Sequence, residues 1–217
     1  MDTADNAGAD VLTALRAATA PLHDDLEARL NLLDPDLDVA GYAYVLSIFA
    51  AYYAPIEAQL YVLPGLDDWV PALERRRKLP LIERDLRHLR PQRRASRAIP
   101  PNLVPRLDEP LAALGCLYVL EGATLGGRVI ARHLDACLGI DAHNGGAFHT
   151  AYGREAGRMW RSMQEALRSA DSGPSARSVI IGAAYATFAG LASWCALSLP
   201  SPADRPLTQV TEFPASL

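Results

Sequence analysis

The segment GCLYVLEGATLGGRVI, residues 115–130, has the apolar spacing of a helix and yet contains four glycines. A glycine inside a helix costs on the order of 1 kcal/mol relative to alanine, because more backbone freedom is lost on folding. On a helical wheel drawn at about 100° per residue, Gly115, Gly122 and Gly126 lie within roughly 40° of one another, with Tyr118 beside them. One face of the predicted helix is therefore nearly bare of side chains.

Three uses fit such a face, and the spacing alone leaves all three open. Small residues let two helices approach closely. A bare backbone also lets a flat ligand lie against the helix. The adjacent pair Gly126 and Gly127 allows a helix to kink and flex.

The rest of the chain is also helical in pattern, with apolar residues three, four or seven positions apart. In the first region, 11–33, Pro21 either begins a new helix capped by Thr19 or bends a continuous one. Further helices are predicted from Gly41 onward and over 109–138, 152–169 and 176–197. No strand alternation or repeat appears. We predict an all-α domain of seven or eight helices over 10–198, a flexible N-terminus at 1–9 and a flexible tail at 199–217.

Composition narrows the class of protein. The 217 residues are 50% apolar and 21% charged, which suits one well-filled core. A net charge of −4 argues against nucleic-acid binding. Three distant cysteines and the absence of a secretion signal predict a cytoplasmic protein. The most apolar run, 42–56, is expected to be too short to span a membrane and to form a buried helix.

One stretch is strongly basic. Residues 74–97 contain ten basic and three acidic side chains, a net charge of +7, whereas the remainder carries −11. The pattern favours a solvated helix face; the alternative is a docking surface for an acidic protein partner.

A single histidine, His23, lies at the edge of the apolar stripe of the first region. A histidine in this position is more often a hydrogen-bonded core residue than a ligand. As a ligand, neutral imidazole suits iron, zinc or copper, and no second histidine or cysteine follows at ligand spacing. One protein ligand beside room for a flat molecule points to haem, whose porphyrin supplies the other in-plane ligands.

The motifs ATAPLHDDLE, residues 18–27, and LYVLEGATLGGRVI, residues 117–130, together resemble the haem (heme) oxygenase family, in particular its bacterial biliverdin-producing branch with enzymes found beside bacteriophytochromes. The resemblance extends over about residues 11–194, although only the two motifs are specific. It implies a helical fold with haem between a proximal and a distal helix.

Carried over by position, the resemblance makes His23 the proximal iron ligand, and Glu27 a hydrogen-bond partner for its free nitrogen or a surface ion-pairing group. Gly122 and Gly126 become the distal glycines over the haem, and Gly127 gives that helix flexibility.

Arg16 and Arg161 match basic positions that reach the haem propionates. A solvated helix position fits Arg16 equally well and fits Arg161 slightly better. Tyr118 places a hydroxyl near the haem edge. One position departs from the family: many members carry an aspartate where this chain has Ala123. The water network there would rest on backbone groups, on another polar residue such as Thr124, or on none.

The activity implied is oxidative cleavage of haem to biliverdin with release of iron and carbon monoxide, haem being substrate and cofactor. No flavin or nucleotide fingerprint is present, so electrons are expected from a reductase or ferredoxin-type donor. The resemblance also makes a bilin-binding photoreceptor a candidate partner. The alternatives are a haem carrier or sensor without turnover and, less well supported, a thiamin-degrading enzyme with Cys116 as nucleophile.

Overall fold

The computed structural model describes residues 10–91 and 98–199. These contain six α-helices, three short 3₁₀ helices and no strand, which confirms the all-α class. The α-helices are α1 (Val11–Leu30), α2 (Val39–Leu60), α3 (Leu79–Leu89), α4 (Pro110–Leu138), α5 (Ala156–Ala170) and α6 (Pro174–Ser198). The 3₁₀ helices are Leu73–Arg76, Pro101–Leu103 and Gly153–Glu155.

The predicted seven or eight helices exceed the six α-helices of the described residues. The connections that follow α2, α3 and α4 each contain only one short 3₁₀ helix. The expected flexible segments at 1–9 and 200–217 lie outside these residues, and Leu199 caps the end of α6.

Helix α1 runs unbroken through Pro21. The hydroxyl of Thr19 donates to the Leu15 carbonyl 2.8 Å away, inside the helix, so it does not cap a second one. The helix ends where Asn31 adopts a left-handed conformation with φ 42°. Asp38 then caps α2 by accepting a hydrogen bond from the Gly41 amide at 2.7 Å.

Helix α6 is the central packing element, because α1 and α4 both pack against it rather than against each other. Gly115 lies at the closest approach of α4 and α6, where a Cβ atom would be 2.1 Å from the Ile180 carbonyl oxygen. Two buried hydrogen bonds join α6 to α2: Tyr52 donates to Thr187 at 2.7 Å, and the Trp194 indole donates to Ile48 at 3.0 Å. A gap is left between α1 and α4.

Three helices, α2, α4 and α6, are long and apolar enough to cross a membrane on length and composition alone. The run 42–56 lies within a helix of 22 residues, so the expectation that it is too short was wrong. About half of each apolar stretch, 56%, 56% and 50%, is buried inside the protein. This burial favours a place in the core for all three.

Candidate active site

The gap between α1 and α4 is a cavity of about 460 Å³, within the range of about 300–1,000 Å³ that is usual for small-molecule sites. Helices α1 and α4 supply its two long walls. Aromatic residues from the other elements close it: Phe49, Tyr53, Phe148, Trp160 and Phe188.

The four glycines of α4 have different surroundings. A Cβ atom on Gly115 or Gly127 would collide with protein backbone, since at Gly127 it would lie 2.8 Å from the His149 carbonyl oxygen. At Gly122 a Cβ would meet only the tip of Trp160, 3.9 Å away, and at Gly126 nothing within 4 Å. Gly122 and Gly126 line the cavity. Close contact with neighbouring backbone, of α6 at Gly115 and of the loop after α4 at Gly127, accounts for these two glycines, but it leaves Gly122 and Gly126 unexplained.

On the opposite wall, His23 of α1 lines the cavity with 52% of its side chain exposed. Its Nδ1 atom lies 3.7 Å from Oε2 of Glu27 and 3.8 Å from Oδ1 of Asp24. Carboxylates on this side favour the tautomer that carries the proton on Nδ1, which leaves Nε2 with its lone pair free to bind a metal.

Among the described residues, this trio is the only group of three or more His, Cys, Asp or Glu side chains with potential ligand atoms close together. All three side chains are exposed, as surface carboxylates commonly are without a metal. One imidazole facing a cavity of this size, across from bare backbone, fits haem better than a bare ion.

The other predicted site residues divide into two groups. Arg16, Glu27 and Tyr118 line the cavity, and the Tyr118 ring lies 5.7 Å from the ring of Trp160. Arg161 is exposed on α5 and does not line it. Gly115, expected on the same bare face, instead contacts α6, because the packing of α6 covers that end of the helix.

Thr124 does not supply a polar group to the cavity. Its hydroxyl donates to the Glu121 carbonyl at 2.6 Å, one turn back in the same helix, and the side chain is buried away from the cavity. Of the alternatives for the family's aspartate, Thr124 is therefore the one that the structure does not favour, which leaves backbone groups or no replacement.

The sequence did not indicate His149, which lies in the loop between α4 and α5 and lines the cavity. Only 4% of the residue is exposed, and its Nε2 atom is buried without a hydrogen-bond partner. Burial lowers the pKa of the ring to about 3, so the imidazole is neutral. No spacing pattern links this loop to α1, and only the fold brings them together.

A buried ionic cluster is centred on Glu121, the residue of α4 that precedes Gly122. Glu121 accepts hydrogen bonds from Arg76 and Lys78, both at 2.5 Å, and from the Tyr152 hydroxyl at 2.7 Å. Glu121, Arg76 and Lys78 are each about 1% exposed. Burial lowers the pKa of Lys78, and the Glu121 carboxylate opposes that effect.

The basic stretch is therefore not a uniformly solvated face, since Arg76 and Lys78 lie in the core. Others are paired on the surface: Arg75 with Glu155, and Arg77 with Glu74. Arg84 donates to the Ala142 carbonyl at 2.6 Å. Three further members, Arg93, Arg94 and Arg97, lie outside the described residues.

The comparisons with known proteins agree with the geometry of the site. Residues 9–196 match the family described as Heme oxygenase. A heme oxygenase of Xanthomonas campestris pv. campestris (strain 8004) is 36% identical over 158 residues, which cover 70% of this chain and 87% of that protein.

Two solved structures share the fold. The NO- and CO-bound heme oxygenase from Neisseria meningitidis superposes with a TM-score of 0.75 at 21% identity, over 92% of this chain and 98% of that one. Heme oxygenase 2 from Chlamydomonas reinhardtii, solved without heme, gives a TM-score of 0.69 at 14% identity, over 89% and 100% of the two chains. The family match over most of the chain, together with the bacterial relative, shows that this protein belongs to the haem oxygenase family.

Proposed function

We propose that the protein cleaves haem oxidatively to biliverdin, releasing iron and carbon monoxide with electrons from a separate donor. Family membership establishes an oxidoreductase that degrades haem. The observation that carries the proposal is the wall at Gly122 and Gly126, where a Cβ would enter the cavity and meet almost no protein atom.

The two walls have separate tasks. His23 would bind the haem iron through Nε2, with the Glu27 carboxylate 3.7 Å from Nδ1 on the other side of the ring, where it favours the required tautomer. Bound haem supplies the iron centre for oxygen chemistry and is itself the molecule that is cleaved. Gly122 and Gly126 would leave room for haem beside the helix backbone, and the aromatic residues that line the cavity would exclude bulk water.

Charged groups at the rim orient the haem. Arg16 lines the cavity and is proposed to bind one propionate. Arg161 is proposed for the second propionate from the position it matches in the family; it is exposed on α5, next in sequence to Trp160, which lines the cavity. Tyr118 supplies a hydroxyl at the same wall.

The donor is proposed to be a reductase or ferredoxin-type protein, since the chain carries no flavin or nucleotide fingerprint. The proposed location is the cytoplasm. A bilin-binding photoreceptor remains the proposed recipient of the product, in line with the bacteriophytochrome-associated branch.

The test is an absorption titration of the purified protein with ferric haem, followed by reductant in air. We expect a sharp haem band that decays while a broad red bilin band grows. The variant His23→Ala should lose both, whereas His143→Ala, a change at an exposed histidine, should lose neither. A haem band that survives reductant and oxygen would identify a carrier or sensor instead.

A further inference from the structure

The cavity has few polar groups near its glycine wall. Gly122, Ala123, Leu125 and Gly126 carry no polar side chain. The Thr124 hydroxyl is already bonded inside α4. A ligand held against this wall would find no hydrogen-bonding partner among these five side chains.

His149 lies beside that wall. Its backbone carbonyl packs on Gly127, and the neighbouring Gly126 lines the cavity. The ring is held by aromatic neighbours, with its centroid 4.9 Å from that of Phe148 and 5.8 Å from that of Tyr42. A ring packed in this way keeps a fixed position.

The Nε2 atom of His149 is buried without a partner, and it is the only such buried side-chain nitrogen or oxygen among the residues that the structure describes. A buried polar group left unpaired costs on the order of 1–3 kcal/mol, and native proteins contain few such groups. Phenylalanine would fill the same space without this cost.

We propose that His149 is the hydrogen-bond donor to a ligand or water held between the glycine wall and the haem iron. This inference rests on the proposed function, because the ligand needs haem in the cavity. The neutral imidazole offers one N–H donor, so it binds an anionic or partly negative ligand without adding charge to the apolar wall. His149 is thus a specificity-determining residue for what binds opposite His23.

The test compares His149→Phe with His143→Phe, which makes the same change at an exposed histidine of the same loop. The readout is the affinity of the ferric haem complex for fluoride, a small anion that accepts hydrogen bonds, measured by absorption. We expect fluoride to bind about tenfold more weakly to His149→Phe, the effect of one lost hydrogen bond. His143→Phe should match the unmodified protein, and His149→Asn, which keeps an N–H donor, should recover part of the loss.

A second readout is the thermal midpoint of the haem-free protein. His149→Phe should unfold at the same or a higher temperature, because it removes an unpaired buried group. Equal fluoride affinity in both phenylalanine variants would overturn the proposal. A low-spin haem spectrum that is lost in His149→Phe would also overturn it, because the His149 imidazole would then bind iron directly. If the unmodified protein takes up no haem, the proposed function fails as well; haem cleavage with unchanged fluoride affinity would overturn the His149 assignment alone.

Discussion

At the scale of single residues, the glycines of α4 share a backbone cost but differ in what replaces their missing side chains. Gly115 and Gly127 are in close contact with the backbone of neighbouring segments, whereas Gly122 and Gly126 line the cavity. Because alanine and leucine stabilise helices relative to glycine, a substitution at Gly126 gains helix propensity, and the added Cβ meets no protein atom within 4 Å. The bare backbone there therefore lowers the stability of the protein, a cost that the proposed haem site would explain.

This contrast predicts opposite effects for two substitutions. Gly126→Leu should leave the free energy of unfolding equal or raise it by up to about 1 kcal/mol, while it abolishes the haem band. Gly115→Ala should destabilise the protein, because the new Cβ would lie 2.1 Å from the Ile180 carbonyl oxygen. Urea unfolding of the haem-free proteins measures both changes. Destabilisation by Gly126→Leu would show that this glycine serves packing after all.

At the scale of elements, the glycine wall of α4 is positioned by Glu121, the residue that precedes it in sequence. Glu121 immediately precedes Gly122 and is bonded to Arg76 and Lys78 from the segment that leads into α3, and to Tyr152 from the loop before α5. Two separate parts of the chain thus hold one turn of α4. Gly122, which has no side chain that could hold it, is thus positioned through the carboxylate of its neighbour Glu121.

We expect Glu121→Gln to destabilise the protein by about 3–5 kcal/mol, because it leaves two cations in the core without a charged partner. The matched control is Glu155→Gln. Glu155 also binds two cations, Arg75 and Arg158, but its side chain is 43% exposed, so solvent replaces the lost contacts. Urea unfolding of both variants measures the difference. Equal losses would mean that burial of the Glu121 cluster has little energetic weight.

At the scale of the whole molecule, one buried histidine makes the fold sensitive to acid. Burial lowers the pKa of His149 to about 3, below its ordinary value near 6.5. As the pH falls between these values, the unfolded chain takes up a proton that the folded protein does not. The stability contributed by this residue is therefore present above about pH 6.5 and is lost as the pH falls.

The expected slope is up to about 1.4 kcal/mol per pH unit between about pH 6 and pH 4, and it should be absent in His149→Phe. Urea unfolding of both haem-free proteins across this range measures the slope. Burial raises the pKa of Asp85 and of Glu57, but both proteins share these groups, so their effects cancel in the difference. Parallel curves for the two proteins would show that His149 takes up its proton without unfolding.

The sequence by itself determined the helical class, because its apolar period is local and survives in every described helix. It also located the two motifs that face one another, with His23 in one and Gly122 and Gly126 in the other. Each motif is short and can be recognised from neighbouring residues alone. One has an imidazole at the edge of an apolar stripe, and the other has a helix face nearly bare of side chains.

Only the tertiary structure decided which glycines serve the cavity and which serve packing, since that depends on where α6 and the 139–152 loop meet α4. It likewise placed His149 in the cavity and turned Arg76 and Lys78 inward toward Glu121, although their sequence pattern is that of a solvated surface. Such pairings join residues tens of positions apart. The spacing of residues along the sequence does not predict these contacts, because they depend on the positions of several helices at once.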